Sequence, residues 1–344
     1  MNWLNRNGTV PIAQNNHNKQ GQTGVALIVV MLIVALITIL AVEMSGRLQI
    51  NIARTSNVKA NNQAFWYAMG AEQYAMSALQ RLQNASEDNI NLSQPWTEDF
   101  AFPVEGGSIE AKLTDLQACL NLNAINSEPI TNSTASNASS LSQQAFLRFI
   151  ENYIEDSYDA ETIRDSLIDW IDEDDIPSSL GAEDSDYESL PMPYLTANTL
   201  MSSLSEVRLV NGIETIFQSQ NANKILEALC VLPEQNIKVN VNTITEDNAV
   251  VLSALLGQTL DVGQGIINSR PEDGFAEIDD FLKVPEVAAS QLSAEQVQWF
   301  AVSTEYFKLN TRAKFNGTQF RMSTIFKLEG ETVSVISREF GGAF

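Results

Sequence analysis

Eight carboxylates crowd two short runs of the chain: Asp172, Glu173, Asp174 and Asp175, then, beyond Pro177 and Gly181, Glu183, Asp184, Asp186 and Glu188. They belong to a stretch, Glu151 to Glu188, that holds 15 acids and one base, Arg164. A solvated acidic face is the ordinary reading of such a run. The local order points further, because two carboxylate groups on either side of a Pro/Ser/Gly loop can fold onto one point, where their repulsion is costly without a cation. Calcium suits such a place: it accepts about six to eight oxygens in flexible geometry, whereas magnesium takes fewer protein ligands. One or two calcium ions are expected, with Asp172, Asp174, Glu183, Asp184 and Asp186 as side-chain ligands and Ile176 offering its carbonyl. The loop is not an EF-hand, since Pro177 stands where the sixth position requires Gly.

Other chemistry is poorly supplied. His17 is the one histidine, and it precedes the apolar segment described next. A mature chain without it has no Ser-His-Asp triad, no Cys-His dyad and no histidine-ligated zinc. Two cysteines, Cys119 and Cys230, are too few for a thiolate cage but enough for one disulfide. Glycosidases and aspartic proteases need paired carboxyls at set separations in a cleft, which eight acids in one loop fit badly. A net charge of -23, from Lys+Arg 20 and Asp+Glu 43, opposes a phosphate-backbone partner, so no nucleic acid is expected. The rival from another class is a membrane-anchored periplasmic calcium-dependent hydrolase, which an activity screen with and without calcium separates from a non-enzyme.

The elements that must position these residues begin with an anchor. Residues 1–24 are polar, carry Arg6 and Lys19, and contain no acid. Val25 to Val42 then runs for 18 residues without a charge; as a helix this is roughly 27 Å, enough to span a bilayer. The basic side precedes the run and the acidic bulk follows it, so the N-terminus is expected in the cytoplasm and the bulk outside. A secretory signal peptide is the competing reading, opposed by the length of the apolar run and the absence of a clean small-x-small cleavage site. No proline occurs between Pro11 and Pro95, so the helix is expected to continue to Asn84, either unbroken or with a hinge near Gly46. On the outer side oxidation is maintained, and Cys119 and Cys230 are expected to be joined.

Beyond a turn-rich stretch, Gln94 to Gly107, the segments Ser108–Leu116, Phe307–Phe315, Gln319–Leu328 and Thr332–Arg338 alternate as strands, the last three divided by Asn316-Gly317 and Glu329-Gly330-Glu331. These predict one antiparallel sheet on the helical stem, drawn from residues 85–120 and 301–344. Between them the periodicity is helical. Residues 121–205 read as an acidic helical insertion with the calcium loop, entered through a Ser/Asn/Thr-rich loop, Asn126 to Ser142. Residues 206–300 read as a second helical module of helix-hairpin-helix or SAM-like type. Arg270 and Lys283 are its only bases between Glu246 and Glu286, so it is expected to be a packing scaffold rather than a phosphate site.

A polar leader ending in Gly, an apolar stretch and a long amphipathic continuation resemble a type IV prepilin or pseudopilin. QAFWYAMGAEQYA (Gln63–Ala75), DLQACLNLN (Asp115–Asn123), LIDWIDEDDIPSSLGAEDSDY (Leu167–Tyr187), SLSEVRLVNGI (Ser203–Ile213) and VNVNTIT (Val239–Thr245) narrow the resemblance to the K-class minor pseudopilins of type II secretion. Most pilins carry Glu at the fifth mature position; Val29 stands there, as the K class also lacks that Glu. The resemblance implies an α+β pseudopilin fold, with a long transmembrane and stem helix over 25–84 on an antiparallel sheet and a large all-α insertion. It further implies cleavage by a prepilin peptidase between Gly24 and Val25, an inner-membrane protein with its bulk in the periplasm, and calcium in the acidic loop. The implied partners are the I and J minor pseudopilins, met through a stem face with Phe65, Trp66 and Met69. At the tip of the pseudopilus such a protein takes part in initiation and export and has no small-molecule substrate.

Overall fold

The computed structural model describes residues 23–84, 89–127, 140–330 and 332–341. The leader expected over 1–24, including His17, lies almost wholly outside the described residues, as do most of the Asn126–Ser142 loop and Glu331 of the last turn. The chain divides into two compact units, residues 1–60 and 61–344.

Helix α1, Thr23–Asn84, is unbroken. Gly46, where a hinge was the alternative, sits in regular helix. In the first unit every side chain from Val25 to Val42 is exposed, and this apolar run is long enough to cross a membrane. In the second unit α1 carries a different pattern: Ala64, Ala68, Ala75, Leu79 and Leu82 recur at helical spacing and are buried against Leu113, Leu309, Ala313, Met322 and Phe326 of the sheet.

The sheet starts with β1 (Phe100–Val104) and β2 (Gly107–Asp115). β1 lies in the stretch whose sequence is turn-rich; Pro103 obscures it, yet an edge strand tolerates a residue without an N–H. The chain then leaves for the insertion. It makes β3 (Leu120–Asn121), α2 (Leu141–Glu151), α3 (Ser157–Ile171), α4 (Asp184–Glu188), α5 (Glu214–Gln218), α6 (Ala222–Glu227), β4 (Leu229–Cys230) and β5 (Val239–Asn240). After these come α7 (Ala249–Leu256), α8 (Leu260–Ser269), α9 (Ile278–Leu282) and β6 (Phe300–Ala301). Ser140 and Gln143 form a capping box at α2, and Asp156 caps α3 through the amides of Tyr158 and Asp159. Buried side chains from Ala118 to Phe300 form one hydrophobic cluster, so both helical modules share a core. Two short parallel ladders, β3 with β4 and β5 with β6, close it, and Cys119 is joined to Cys230.

The chain returns in β7 (Tyr306–Phe315), β8 (Thr318–Glu329) and β9 (Thr332–Phe340), giving an antiparallel sheet in the order β1-β2-β7-β8-β9. Asn316 and Gly317, at φ 45° and 81°, make the β7–β8 turn that the Asn-Gly pair requires. This is the α+β arrangement expected, a long N-terminal helix, an antiparallel sheet and a large insertion; the insertion, expected to be all-α, is mainly helical but also holds the four two-residue strands β3 to β6.

A buried polar joint holds the insertion to the sheet. Asp115, at the end of β2, accepts from the Gln117 amide (2.7 Å), Asn240 Nδ2 (2.9 Å) and Thr243 Oγ1 (2.6 Å). Asn242 brackets Phe275, accepting its amide at 2.7 Å and donating to its carbonyl at 3.0 Å. Arg270, just after α8, donates Nη1 to the carbonyls of Val241 and Ile244 at 2.9 and 2.8 Å, so this base braces backbone.

Candidate metal centre

Two acids on α3, one turn apart, shape the acidic loop before any ligand is considered. Asp169 accepts the Ser178 amide on both carboxylate oxygens at 3.1 Å, and Asp165 accepts the Leu180 amide at 3.1 Å while pairing with Arg164. Gly181 lies so close to Asp169 that a side chain there would collide with the carboxylate. These contacts turn the chain back, so that the start of α4 comes to the end of α3.

The result is a cluster of Asp172, Asp174 and Glu183, each offering a carboxylate oxygen within 4.8 Å of the others. Asp172 Oδ1 and Glu183 Oε1 are buried with no hydrogen-bond partner. Burial, then the neighbouring Asp174 and Asp169, pushes the Asp172 carboxyl up to about 6. Burial, then Asp169 and Asp172, pushes Glu183 up to about 7. Unpartnered carboxylate oxygens facing one another without a base fit a hard cation, which would supply the missing charge and the missing bonds.

The other expected ligands stand differently. Asp184 Oδ1 accepts the Thr196 amide (2.9 Å) and hydroxyl (2.6 Å), which holds its carboxyl below the ordinary value. Asp186 Oδ2 accepts the Glu183 amide at 3.1 Å, the reciprocal cap of α4. Neither belongs to the three-residue cluster. Ile176 donates its amide to Asp174 Oδ1 at 2.9 Å and keeps its side chain in solvent. Sequence reasoning missed Asn198, whose Oδ1 is a further buried oxygen without a partner and whose Nδ2 donates to Asp175 Oδ1 at 3.0 Å. Its φ of 44° is the signal a single sequence could not display, a left-handed position where Asn is tolerated.

Of the three stem residues, Phe65 meets Trp66, Phe320 and Phe340 edge-on or tilted, and Met69 packs on the Ala64, Ala68, Ala313 and Met322 cluster. Both face the chain's own sheet. Trp66 is exposed. Gly24 and Val25 lie in the first turn of α1.

Comparison with known proteins agrees with this architecture. Residues 118–234 and 239–303 match two family profiles, both described as type II secretion system (T2SS), protein K. The type II secretion system protein K of Pectobacterium carotovorum is 33% identical over 93% of this chain and 97% of its own length. That of Aeromonas hydrophila is 34% identical with the same coverage. Among solved structures, a chain in the crystal structure of the GspK-GspI-GspJ complex from enterotoxigenic Escherichia coli superposes with a TM-score of 0.73 at 30% identity, covering 84% of this chain and 100% of that one. With both halves of its insertion matched and relatives aligned over 93% of its length, the chain belongs to the type II secretion system protein K family.

Proposed function

We propose that the chain is a minor pseudopilin at the tip of the type II secretion pseudopilus, acting in pseudopilus initiation and in export of folded periplasmic proteins across the outer membrane, with no reaction of its own. The observation that carries this reading is its likeness, at a TM-score of 0.73, to a chain solved in a GspK-GspI-GspJ complex. Its partners are then the I and J minor pseudopilins. Trp66 is the residue of the expected stem face that is free to meet them, because Phe65 and Met69 are already packed inward. Val29 stands where most pilins carry the carboxylate used in the filament register, which suits a tip position. The apolar run anchors the chain in the inner membrane, N-terminus in the cytoplasm and bulk in the periplasm, after a prepilin peptidase cuts between Gly24 and Val25.

Calcium belongs to the same reading. Asp172, Asp174 and Glu183 are the residues that would hold it, with the Ile176 carbonyl and Asn198 Oδ1 as further oxygens, while Asp184 and Asp186 keep the loop folded. The ion would supply cross-linking between the two limbs of the loop.

The full chain, produced together with the I and J proteins of its own secretion system, should co-purify with both, and Trp66→Asp should reduce their recovery. Mass spectrometry should place the mature N-terminus at Val25. Deleting the gene should retain the exported proteins in the periplasm; undiminished secretion without it would overturn the assignment.

A further inference from the structure

One stretch of the insertion, residues 176–209, carries a group of exposed apolar side chains. Of the eleven large apolar residues exposed beyond α1 among the described residues, five fall between positions 176 and 209: Ile176, Leu190, Met192, Leu195 and Leu209. Met192 is 82% exposed and Ile176 75%. Single exposed apolar residues need no explanation, but a group of them does.

These residues are held in place. Pro191 and Pro193 flank Met192 and fix its neighbours' backbone. Tyr194 stacks on Tyr187 at 5.2 Å between centroids and donates its hydroxyl to the Leu209 carbonyl at 2.8 Å, bringing Leu209 to the same segment. Thr196 donates to Asp184, and Asn198 donates to Asp175, the residue before Ile176. Residues 190–198 are thus pinned beside the loop that carries Ile176. A backbone already held in place loses little freedom on binding, and Met and other adaptable apolar groups are favoured at interfaces.

Charge selects the occupant. Glu173, Asp175 and Glu188 are exposed around this segment, and no Lys or Arg occurs between Asp165 and Val207. The flanking bases are engaged: Arg164 pairs with Asp165, and Arg208 lies 4.7 Å over the Phe217 ring. Nucleic acid, anionic lipid and a second copy of this face are all repelled by such a rim. We propose that this face docks a protein partner presenting apolar side chains ringed by Lys and Arg. The surface exists whether or not a cation occupies the neighbouring cluster, because Glu173 and Glu188 lie outside it.

The test places the photo-crosslinking residue p-benzoylphenylalanine at Met192 in the full chain in its own cells, with exposed Tyr158 as the reference position. Illumination should give a protein adduct at Met192 at least fivefold above Tyr158. The protein, identified by mass spectrometry and purified, should bind the detergent-solubilised chain. That binding should weaken at least tenfold with Met192→Glu/Leu195→Glu and also as salt is raised from 50 to 300 mM. The melting temperature of that variant should match the parent, which separates lost docking from lost folding. No excess adduct at Met192, an adduct with lipid or a second copy of this chain, or binding indifferent to salt and to both substitutions would each overturn the proposal.

Discussion

Glu72 on the stem helix is fully buried, and Arg338 on strand β9 grips it with two hydrogen bonds, Nε to Oε2 at 2.6 Å and Nη2 to Oε1 at 2.9 Å. Thr324 Oγ1 adds a third at 3.0 Å. A carboxylate is thus set into the apolar stripe that α1 lays on the sheet, and its partner comes from the last strand. The pair fixes the rotation of the helix on the sheet, since no other setting brings the buried charge to its fork of donors.

Removing Arg338 should therefore cost more than removing both charges. Arg338→Met leaves Glu72 buried and unpaired and should destabilise by about 3 kcal/mol, near the lower end for such breaks, because the Arg338 side chain is over a third exposed and water can take its place. Glu72→Gln with Arg338→Met should recover part of that loss. Urea unfolding of the four variants, closed as a double-mutant cycle, measures the coupling.

Calcium should raise the melting temperature of the chain and chelation should lower it. At a hundredfold excess over Kd the gain is about 2.7 kcal/mol. Asp172→Asn with Asp174→Asn should abolish the response, whereas Asp186→Asn, which removes only an α4 cap, should leave ion binding within a few fold. Titration calorimetry at millimolar calcium decides it: no heat of binding means that the acidic run is surface.

The two raised carboxyls set a pH dependence with a definite sign. Glu183 moves from 4.5 to about 7 and Asp172 from 3.8 to about 6, so without a cation the folded state holds more protons than the unfolded state between those limits. Their contribution to stability is fully present below the unfolded values and is lost as pH rises toward about 7. Calcium binding runs the other way, strengthening with pH as the protons leave. Chemical denaturation at pH 5 and pH 7.5, comparing parent with Glu183→Gln under chelation, should show the parent losing relative stability at the higher pH.

The disulfide should matter more to the insertion than to the sheet. Cys119 and Cys230 are 111 positions apart, and closing so long a loop is worth up to about 4 to 5 kcal/mol in the chain-entropy model, usually less. Cys119→Ser with Cys230→Ser should lower stability by about 2 to 4 kcal/mol. Hydrogen exchange should locate the loosening first around β3 and β4.

Sequence patterns reached the elements whose residues repeat and stopped at those held by single contacts. The stem and four of the five sheet strands were legible because their apolar residues recur at helix or strand spacing, and Asn316-Gly317 announced its own turn. The strand Phe100–Val104 was hidden by Pro103, and the two-residue ladders are too short to have a period. At the acidic loop, composition located the cluster but did not sort its members: Asp172 and Glu183 are left without partners, while Asp184 and Asp186 serve Thr196 and a helix cap. That sorting depends on Asp165 and Asp169, which read in sequence as two more acids of the run. VNVNT marked a family motif, and only its contacts with Asp115 and Phe275 explain why asparagine stands there.

The way the insertion is spliced into the sheet has a mechanical consequence. Asp115, where the chain departs, and Phe307, one residue after it returns, face each other as a pair in the β2–β7 ladder. Tension carried along the sheet passes from one strand to the next through that ladder and goes around everything between. The insertion is a side branch whose ties to the sheet converge on that junction, at the Asp115 joint and the disulfide packed on Tyr306, so a load on the strands bypasses its helices.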